Sequence, residues 1–331
     1  MNIITIYNTI HATTTMSAFT ETTHDKSAVC EQKSAAAAAE RVRLSSATKQ
    51  ATSKQDFAIA GVSESGKWHF CIAADGHGRT SKTIDYLRSR NWSTLIDHKS
   101  LQCLITILRE DIGKLKGTND GACLSIVRFT DHKVISGGHG DCGVEPGIIE
   151  LCYIGDSSIK IYSDNEVIYK SKDHDRYNKE EIKRISETCS MRGIERSGQW
   201  DIEVVNSKLI KSVPAAIFDF GGGDAINMTN ALGHEGKTGD MTGYYILQMD
   251  NRKNYKIVVA TDGFWGMTCD HDQEFISGDS DANALVDFAD SRWRQTWNHN
   301  NTYTIVKNIK FPTSNIDDIC ASVALIKLLV L

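Results

Sequence analysis

Residues 68–78 read WHFCIAADGHG, an apolar run that ends abruptly in the polar sequence DGHG, with Asp75 first. An apolar run of this length, bounded by turn residues, is typical of a buried β-strand. Residues 256–266, KIVVATDGFWG, repeat the arrangement with Asp262. Two buried strands that each end in Asp-Gly therefore predict acidic side chains at the edge of a core sheet.

Shorter β-like runs lie on both sides of these two strands. They are FAIAGV (57–62), ACLSIVRF (122–129), IIELCYI (148–154), IKIY (159–162), EVIYK (166–170) and ICASVALIKLLVL (319–331). Helical spacing of apolar residues predicts helices over 80–96, 101–115 and 282–297. The strands come in neighbouring pairs rather than in strict β-α-β alternation. This pattern indicates an α+β fold, with antiparallel sheet and helices packed outside it.

The composition separates a leader from a folded region. Residues 1–50 are rich in Thr, Ser and Ala, and AAAAAERVR (35–43) is their one helical stretch, so we predict a mobile low-complexity leader over 1–50. No Pro/Gly/Ser linker divides the remainder, which predicts a single catalytic domain over 51–331.

The charge and the cysteines limit the classes of function. A net charge of -5 lacks the basic footprint of a nucleic-acid-binding protein, and no apolar run is long enough to cross a bilayer. The nine cysteines are odd in number, form no C-x-x-C pair and lie largely in apolar runs, which favours buried reduced thiols. We therefore expect a cytoplasmic protein, with the nucleus as the alternative, that binds neither nucleic acid nor membrane.

Aspartates mark the ends of several predicted strands. They are Asp56, Asp75, Asp156, Asp262 and the pair Asp317 and Asp318. A lone Asp-Gly after a strand is more often a hairpin turn, and a lone Asp before a strand is more often a solvated loop residue or a cap. Carboxylates that converge at one sheet edge, however, cannot all stay charged without cations. Oxygen ligands of this kind suit Mg²⁺ and Mn²⁺.

The order of these segments resembles the metal-dependent protein serine/threonine phosphatases of type 2C, the PPM family. The resemblance runs from about residue 55 to the C-terminus. It is carried by AADGHG (73–78), GACLSIV (121–127), CYIGDSS (152–158) running into KDHD (172–175), MTNALGHEG (228–236), VVATDGFWG (258–266), and SRWRQTW (291–297) followed by NIDDICASVALI (315–326).

The resemblance implies a fold of two central antiparallel β-sheets sandwiched between helices, with a metal centre at one end of the sheets. The implied ligands of two Mn²⁺ or Mg²⁺ ions are Asp56, Asp75, the carbonyl of Gly76, Asp262 and Asp317, with Asp156 as a candidate ligand of a third ion. Asp75 would bridge the two ions, and Asp56 would reach the site through a metal-bound water.

The implied reaction is hydrolysis of phosphoserine and phosphothreonine in protein substrates. A hydroxide between the two ions would attack phosphorus directly, because adjacent cations lower the pKa of the water that they share. His77, two residues after Asp75, is the implied proton donor to the leaving oxygen. We expect a monomer whose partners are phosphorylated proteins.

The chain departs from the family pattern at the position that binds the substrate phosphate. The usual arginine is missing, since Ala51 and Thr52 occupy its region. Lys49 and Lys54 are candidate replacements, although an ammonium group lacks the bidentate fork of a guanidinium. Arg79, at a position where glycine is usual, either supplies the missing cation or faces solvent.

Three further departures lie in the second half of the chain. Asn230 and His234 stand where arginine and aspartate are usual, and Gly266 stands where aspartate is common. Residues 190–227, including DFGGGD, match the family poorly in a region that commonly forms a flap beside the active site, so we expect an altered substrate preference. The alternatives to an active protein phosphatase are a pseudophosphatase that binds phosphoproteins and a phosphatase of small metabolites.

Overall fold

The computed structural model describes residues 41–51, 53–115, 120–131, 133–136, 142–175, 177–188, 192–219, 225–234, 238, 242–301 and 304–327. Its strands are β1 Val42–Lys49, β2 Asp56–Val62, β3 His69–His77, β4 Gly121–Phe129, β5 Lys133–Ser136, β6 Cys142–Glu145, β7 Ile148–Ile154, β8 Ser158–Ser163, β9 Glu166–Lys170, β10 Arg192–Asn206, β11 Leu209–Asp219, β12 Ala225–Ile226, β13 Leu232–Gly233, β14 Gly243–Gln248, β15 Tyr255–Ala260, β16 Trp297–Asn301, β17 Thr304–Ile309 and β18 Ile319–Ile326. The α-helices are α1 Lys82–Arg88, α2 Trp92–Leu95, α3 Leu101–Gly113, α4 Lys179–Thr188, α5 Asp262–Trp265, α6 Gln273–Ser277 and α7 Ala282–Arg294, with 3₁₀ turns at Asp270–Asp272 and Thr313–Asn315.

Two antiparallel sheets form the centre of the fold. The first has the strand order β1-β18-β15-β8-β9, and the second has the order β14-β7-β4-β3-β2, with β13 on β4. One apolar cluster joins their facing sides, with Val127, Phe129 and Leu151 from the second sheet and Ile257 and Val259 from the first. The two sheets therefore pack face to face, each burying the alternate residues that point inward.

Helices cover the outer face of each sheet. Leu104 and Leu108 of α3 pack with Ile72 in the core cluster outside the second sheet. Leu285 of α7 packs with Val258 in the corresponding cluster outside the first sheet. The predicted α+β fold, with two antiparallel sheets sandwiched between helices, is confirmed.

The strand register brings the acidic strand ends together. In the second sheet Asp56, the first residue of β2, lies opposite Asp75 near the end of β3. In the first sheet Ala260 at the end of β15 lies opposite Ser158 at the start of β8. The turn that contains Asp156 and the helix that starts at Asp262 therefore leave the first sheet at the same end.

The folded region extends into the segment that we predicted to be a leader. β1, at 42–49, pairs with β18 along its whole length, from Val42 opposite Ile326 to Lys49 opposite Ile319. The prediction of helix through 35–43 is thus wrong from Val42 onward, because pairing with an apolar strand outweighs the weak local preference of VRLSSATK. Residues 1–40 of the predicted leader lie outside the described residues.

Two of the three predicted helices differ in extent, while 101–115 is helical as Leu101–Gly113. The span 80–96 contains the two short helices α1 and α2. The span 282–297 ends early because Trp297 is buried at the start of β16, where its indole N–H donates to the Arg292 carbonyl at 2.9 Å. In the described part of the chain, no helix has the length and apolarity to cross a membrane.

A third sheet, which we did not predict, lies in the poorly matching region. The long hairpin β10-β11 occupies most of 190–227 and continues through β16 and β17, with β11 and β16 in parallel pairing. β17 is exposed along most of its length. The polar strands β10 and β16 lack the apolar runs by which the other strands were recognised, whereas β11 contains apolar residues that we did not assign to a strand.

Candidate metal centre

Two opposite aspartates begin the site on the second sheet, Asp56 buried and Asp75 partly buried. Asp56 and Asp75 face each other across β2 and β3, so their side chains lie on the same face of the sheet. The Asp56 side chain is almost completely buried, and its Oδ2 atom accepts no hydrogen bond from any residue that the structure describes. A buried carboxylate oxygen with no donor is costly unless a proton or a cation satisfies it.

The first sheet contributes the other half of the cluster. Asp156 lies in the turn between β7 and β8, and Asp262 opens α5 directly after β15. Carboxylate oxygens of Asp75, Asp156 and Asp262 all lie within 4.8 Å of one another. The structure therefore places Asp156, which we assigned to a third ion, in the same group as Asp75 and Asp262.

Burial raises the pKa of every carboxyl in this cluster, and repulsion from neighbouring carboxylates of the cluster raises it further at Asp56, Asp75, Asp156 and Asp317. For Asp75, burial is the largest cause, followed by the charges of Asp56 and Asp262. Burial and the charge of Asp262 likewise raise the pKa of Asp156 and raise that of Asp317 to about 8. Without a cation, these carboxyls keep their protons to higher pH than solvated aspartates do, and Asp317 remains largely protonated at pH 7. A donor set made of carboxylate oxygens alone fits Mg²⁺ or Mn²⁺ rather than zinc or copper.

Two glycines allow the backbone to pass close to the cluster. A Cβ atom on Gly76 would lie 2.8 Å from the Ile84 Cβ and 2.9 Å from the Gln55 carbonyl oxygen. A Cβ atom on Gly263 would lie 1.9 Å from the Asp318 carbonyl oxygen. The glycines of the two Asp-Gly pairs thus serve close packing against neighbouring backbone, which turn chemistry alone would not require.

We expect Gly263→Ala to destabilise the protein by about 1–3 kcal/mol and to lower any activity of the site, because the new methyl group overlaps backbone that joins the cluster. Chemical denaturation measures the loss. Gly113→Ala is the matched control, since a Cβ atom there meets nothing within 4 Å at the end of α3. Equal stability of Gly263→Ala and wild type would contradict the packing argument.

The adjacent residues Asp317 and Asp318 have different tasks. The carboxylate of Asp318 is buried and accepts the backbone N–H groups of Ala51 and Gln55, the latter at 2.7 Å, together with the hydroxyl of Ser53. It orders the segment that leads into Asp56. The charge of Asp317 instead acts on Asp75 and on Asp56. This division agrees with the assignment of Asp317, rather than Asp318, as a candidate ligand.

His77 is paired with His234, the residue that replaces the usual aspartate. His77 Nδ1 lies 2.9 Å from His234 Nε2, and the two rings stack with centroids 4.7 Å apart. Burial, with a further contribution from His234, lowers the pKa of His77 to about 3, so the ring is neutral near pH 7. Its Nε2 atom is buried and has no hydrogen-bond partner among the described residues.

The three candidate phosphate-binding cations lie in different surroundings. Lys49 is already paired, because its Nζ atom lies 2.8 Å from Asp290 and 3.5 Å from Asp287. Lys54 and Arg79 are exposed, on segments next to Asp56 and Asp75 respectively. Of the three, Lys49 is the one whose charge the fold itself neutralises.

Sequence reasoning missed one side chain beside the cluster. The Sγ atom of Cys123 lies 3.0 Å from an oxygen of Asp156, and Cys123 stands opposite Asp75 in the β3–β4 register. Burial and the nearby carboxylates raise the pKa of this thiol, so it is a neutral donor to Asp156. Its place in an apolar strand gave no signal of such a contact.

The fold has solved counterparts. A C. elegans sex determining protein matches at 14% identity and a TM-score of 0.52, over 87% of this chain and 66%, just under two thirds, of that one. An S. agalactiae serine/threonine phosphatase matches at 15% identity and a TM-score of 0.48 (86% and 100% covered), and a Toxoplasma gondii serine-threonine phosphatase 2C at 13% and 0.48 (87% and 96%). Many structural neighbours are PPM-type serine/threonine phosphatases. At such identities the likeness is one of fold alone. No family model and no curated protein sequence matches the chain.

Proposed function

We propose that this chain is a metal-dependent protein serine/threonine phosphatase that uses Mn²⁺ or Mg²⁺ to hydrolyse phosphoserine and phosphothreonine. One observation carries the proposal: carboxylate oxygens of Asp75, Asp156 and Asp262 lie within 4.8 Å of one another at one end of the sheets. The close approach of these carboxylates, their raised pKa values and the unsatisfied oxygen of Asp56 together support the binding of cations at this place.

The residues that would hold two divalent ions are Asp56, Asp75, the carbonyl of Gly76, Asp156, Asp262 and Asp317. Such ions supply a lowered pKa for nearby water and neutralise charge on the phosphoryl oxygens. The chain's own contribution is to gather the carboxylates from both sheets at a fixed separation. The close packing of Gly76 and Gly263 supports this rigid arrangement.

In this proposal His77 delivers the proton to the leaving serine or threonine oxygen. It lies two residues after Asp75 on β3, so both side chains leave the same face of the strand. The neutral ring is a weak donor by itself, but the negative charge of a bound phosphate would raise its pKa. His234 holds Nδ1 of the ring, which leaves Nε2 for this transfer.

The decisive experiment offers the purified chain phosphoserine and phosphothreonine peptides with Mn²⁺, with Mg²⁺ and with EDTA. The proposal expects phosphate release that depends on metal and stops with EDTA. Tight binding of phosphopeptide without release at saturating Mn²⁺ would instead establish a pseudophosphatase. Turnover of small phosphorylated metabolites in preference to peptides would establish the third alternative. Phosphorylated proteins as partners, a monomeric state and a cytoplasmic or nuclear location remain part of the proposal.

A further inference from the structure

Two lysines face each other across the β8–β9 hairpin. Lys160 and Lys170 are register partners in this antiparallel pair, so their side chains share one face. Like charges directly opposite each other in a sheet destabilise it. Among the described residues neither ammonium group forms an ion pair within 4 Å, although the charge of Asp173 acts on both lysines and that of Asp270 acts on Lys160 from farther away. One carboxylate at a distance offsets the repulsion between the two lysines only in part, and a further anion bound in contact with both would offset the rest.

Lys160 is held in place rather than loose in solvent. Its Nζ atom lies 4.3 Å from the centroid of the Trp265 ring, a cation–π contact. The indole N–H of Trp265 donates to the carbonyl of Ser158 at 3.1 Å. Trp265 ends α5, the helix that Asp262 begins, so one short helix carries both a candidate metal ligand and the support of Lys160.

The pair lies close to the candidate metal centre along the chain. Lys160 follows Asp156 by four residues, and a strand rises about 3.3 Å per residue, which limits the separation of their Cα atoms to about 13 Å. Asp173 interacts with both places: its carboxylate accepts the Ser158 hydroxyl at 2.7 Å, and its charge acts on Asp156 and on Lys160. An extended peptide covers this distance in about four residues.

Space for a side chain adjoins the pair. A cavity of about 600 Å³ is lined by three lysines, Lys170, Lys172 and Lys179, by three acidic residues, Asp173, Asp175 and Glu180, and by Ser171, Tyr177 and Asn178. Lys170 is the member of the pair that a peptide in this cavity would contact. Burial and the charge of Lys170 lower the pKa of Lys160 to about 8, so most Lys160 side chains remain charged at pH 7.

We propose that Lys160 and Lys170 form a subsite for a second anionic group of the phosphopeptide substrate, either a carboxylate or a second phosphate within about four residues of the phosphate that is hydrolysed. This inference rests on the proposed function and adds to it a substrate class. Both sources present anionic oxygens to two ammonium groups, and the phosphate carries the larger charge.

Three peptides test the subsite. They share one phosphothreonine and differ three residues away, where they carry alanine, glutamate or phosphoserine. We expect wild type to favour the glutamate peptide over the alanine peptide by about fivefold or more in kcat/KM, chiefly through KM, because a charge-assisted contact forms in binding. A still larger ratio for the phosphoserine peptide would identify phosphate as the better occupant.

Substitutions of the two lysines test whether these residues cause the preference for the anionic peptides. In Lys170→Ala the ratio between the glutamate and alanine peptides is expected to fall towards one, and Lys160→Gln is expected to act in the same way. Lys114→Ala is the matched control, an exposed lysine on α3 that pairs with Asp111 at 2.7 Å, and it should keep the wild-type ratio. An equal ratio in wild type and Lys170→Ala would overturn the proposal.

Binding separates a failure of the subsite from a failure of catalysis. Fluorescence anisotropy of the labelled peptides needs no turnover. If no peptide is hydrolysed, the proposed function fails, while tighter binding of the glutamate or phosphoserine peptide that Lys170→Ala removes would still support the subsite. If the peptides are hydrolysed but all bind alike, the subsite is excluded and the phosphatase stands.

Discussion

Replacing Asp75 with asparagine is expected to lower kcat on phosphopeptides by about 10³-fold or more at saturating Mn²⁺. Asp75 is the carboxylate of the second sheet that lies close to the carboxylates of the first. It faces Asp56 across β2 and β3, and its oxygens lie within 4.8 Å of those of Asp156 and Asp262. Asparagine preserves the size of the side chain but removes the negative charge that a carboxylate would offer to a cation, so the loss should appear in chemistry and in metal binding together.

A matched control and a second measurement make this result specific. Asp287→Asn is the same chemical change at an exposed aspartate of α7, where it removes a 3.5 Å contact with Lys49, and it should leave kcat within about twofold. Calorimetric titration with Mn²⁺ should show binding by wild type and by Asp287→Asn but greatly weakened binding by Asp75→Asn. A fully active Asp75→Asn would refute the assigned metal centre.

The two strands that end in Asp-Gly were predictable because their physical signal is local. Buried strands need continuous apolar runs, and residues 68–74 and 256–260 supply them before the first polar residue. The sequence also indicated that carboxylates would gather, since each lies at a strand end. It did not reveal which of them lie closest, because that depends on the register between distant strands.

The grouping of Asp156 shows this limit. The resemblance implied that Asp156 is a ligand of a third ion, and the turn between β7 and β8 brings its carboxylate within 4.8 Å of those of Asp75 and Asp262. The different interactions of Asp317 and Asp318 could likewise not be predicted, because the two residues are identical and adjacent in the sequence. The choice between them depends on hydrogen bonds from residues 51–55, more than 260 positions away.

The third sheet and the contact between His77 and His234 were not predicted, for another reason. β10 and β16 are too polar to show an alternating or continuous apolar pattern, and they are strands because neighbouring backbone pairs with them. His234 was noted as a departure from aspartate, but its contact with His77 spans 157 residues. Long-range contacts of single side chains leave no periodic trace in a sequence.

In EDTA, the unfolding temperature is expected to fall as the pH is raised from 7 to 8. Burial raises the folded-state pKa of Asp317 to about 8, and it raises that of Asp75 and of Asp56 well above the value of an unfolded aspartate. Between its unfolded and its folded pKa, each carboxyl binds more protons in the folded state than in the unfolded state, so stability falls as pH rises. Each carboxyl that stays protonated in the fold contributes about 1.4 kcal/mol per pH unit, which corresponds to roughly 2–4 °C or more for the cluster.

This pH window isolates the carboxylates from other buried groups. Burial lowers the pKa of His77 to about 3 and of His174 to about 4, which makes stability rise with pH, but this contribution is nearly complete above the unfolded value of 6.5. Burial also lowers the pKa of Lys256 to about 8, and the resulting gain in stability lies mostly above pH 8. From pH 7 to 8 the acidic cluster is therefore expected to dominate the slope.

Adding Mn²⁺ should raise the unfolding temperature and remove the slope, because cations take the place of the protons and bind the ionised carboxylates. At a hundredfold excess over the dissociation constant, the gain is about 2.7 kcal/mol, and it should grow as pH rises. Scanning calorimetry at pH 7, 7.5 and 8, with EDTA and with Mn²⁺, measures both effects.

Asp75→Asn should make the unfolding temperature in EDTA depend less on pH, since one crowded acid is gone. It should also lose the increase in unfolding temperature that Mn²⁺ gives to wild type. A wild-type slope in EDTA that is zero or positive would mean that these carboxylates are not crowded in the folded protein, and the case for a metal centre at this end of the sheets would fail with it.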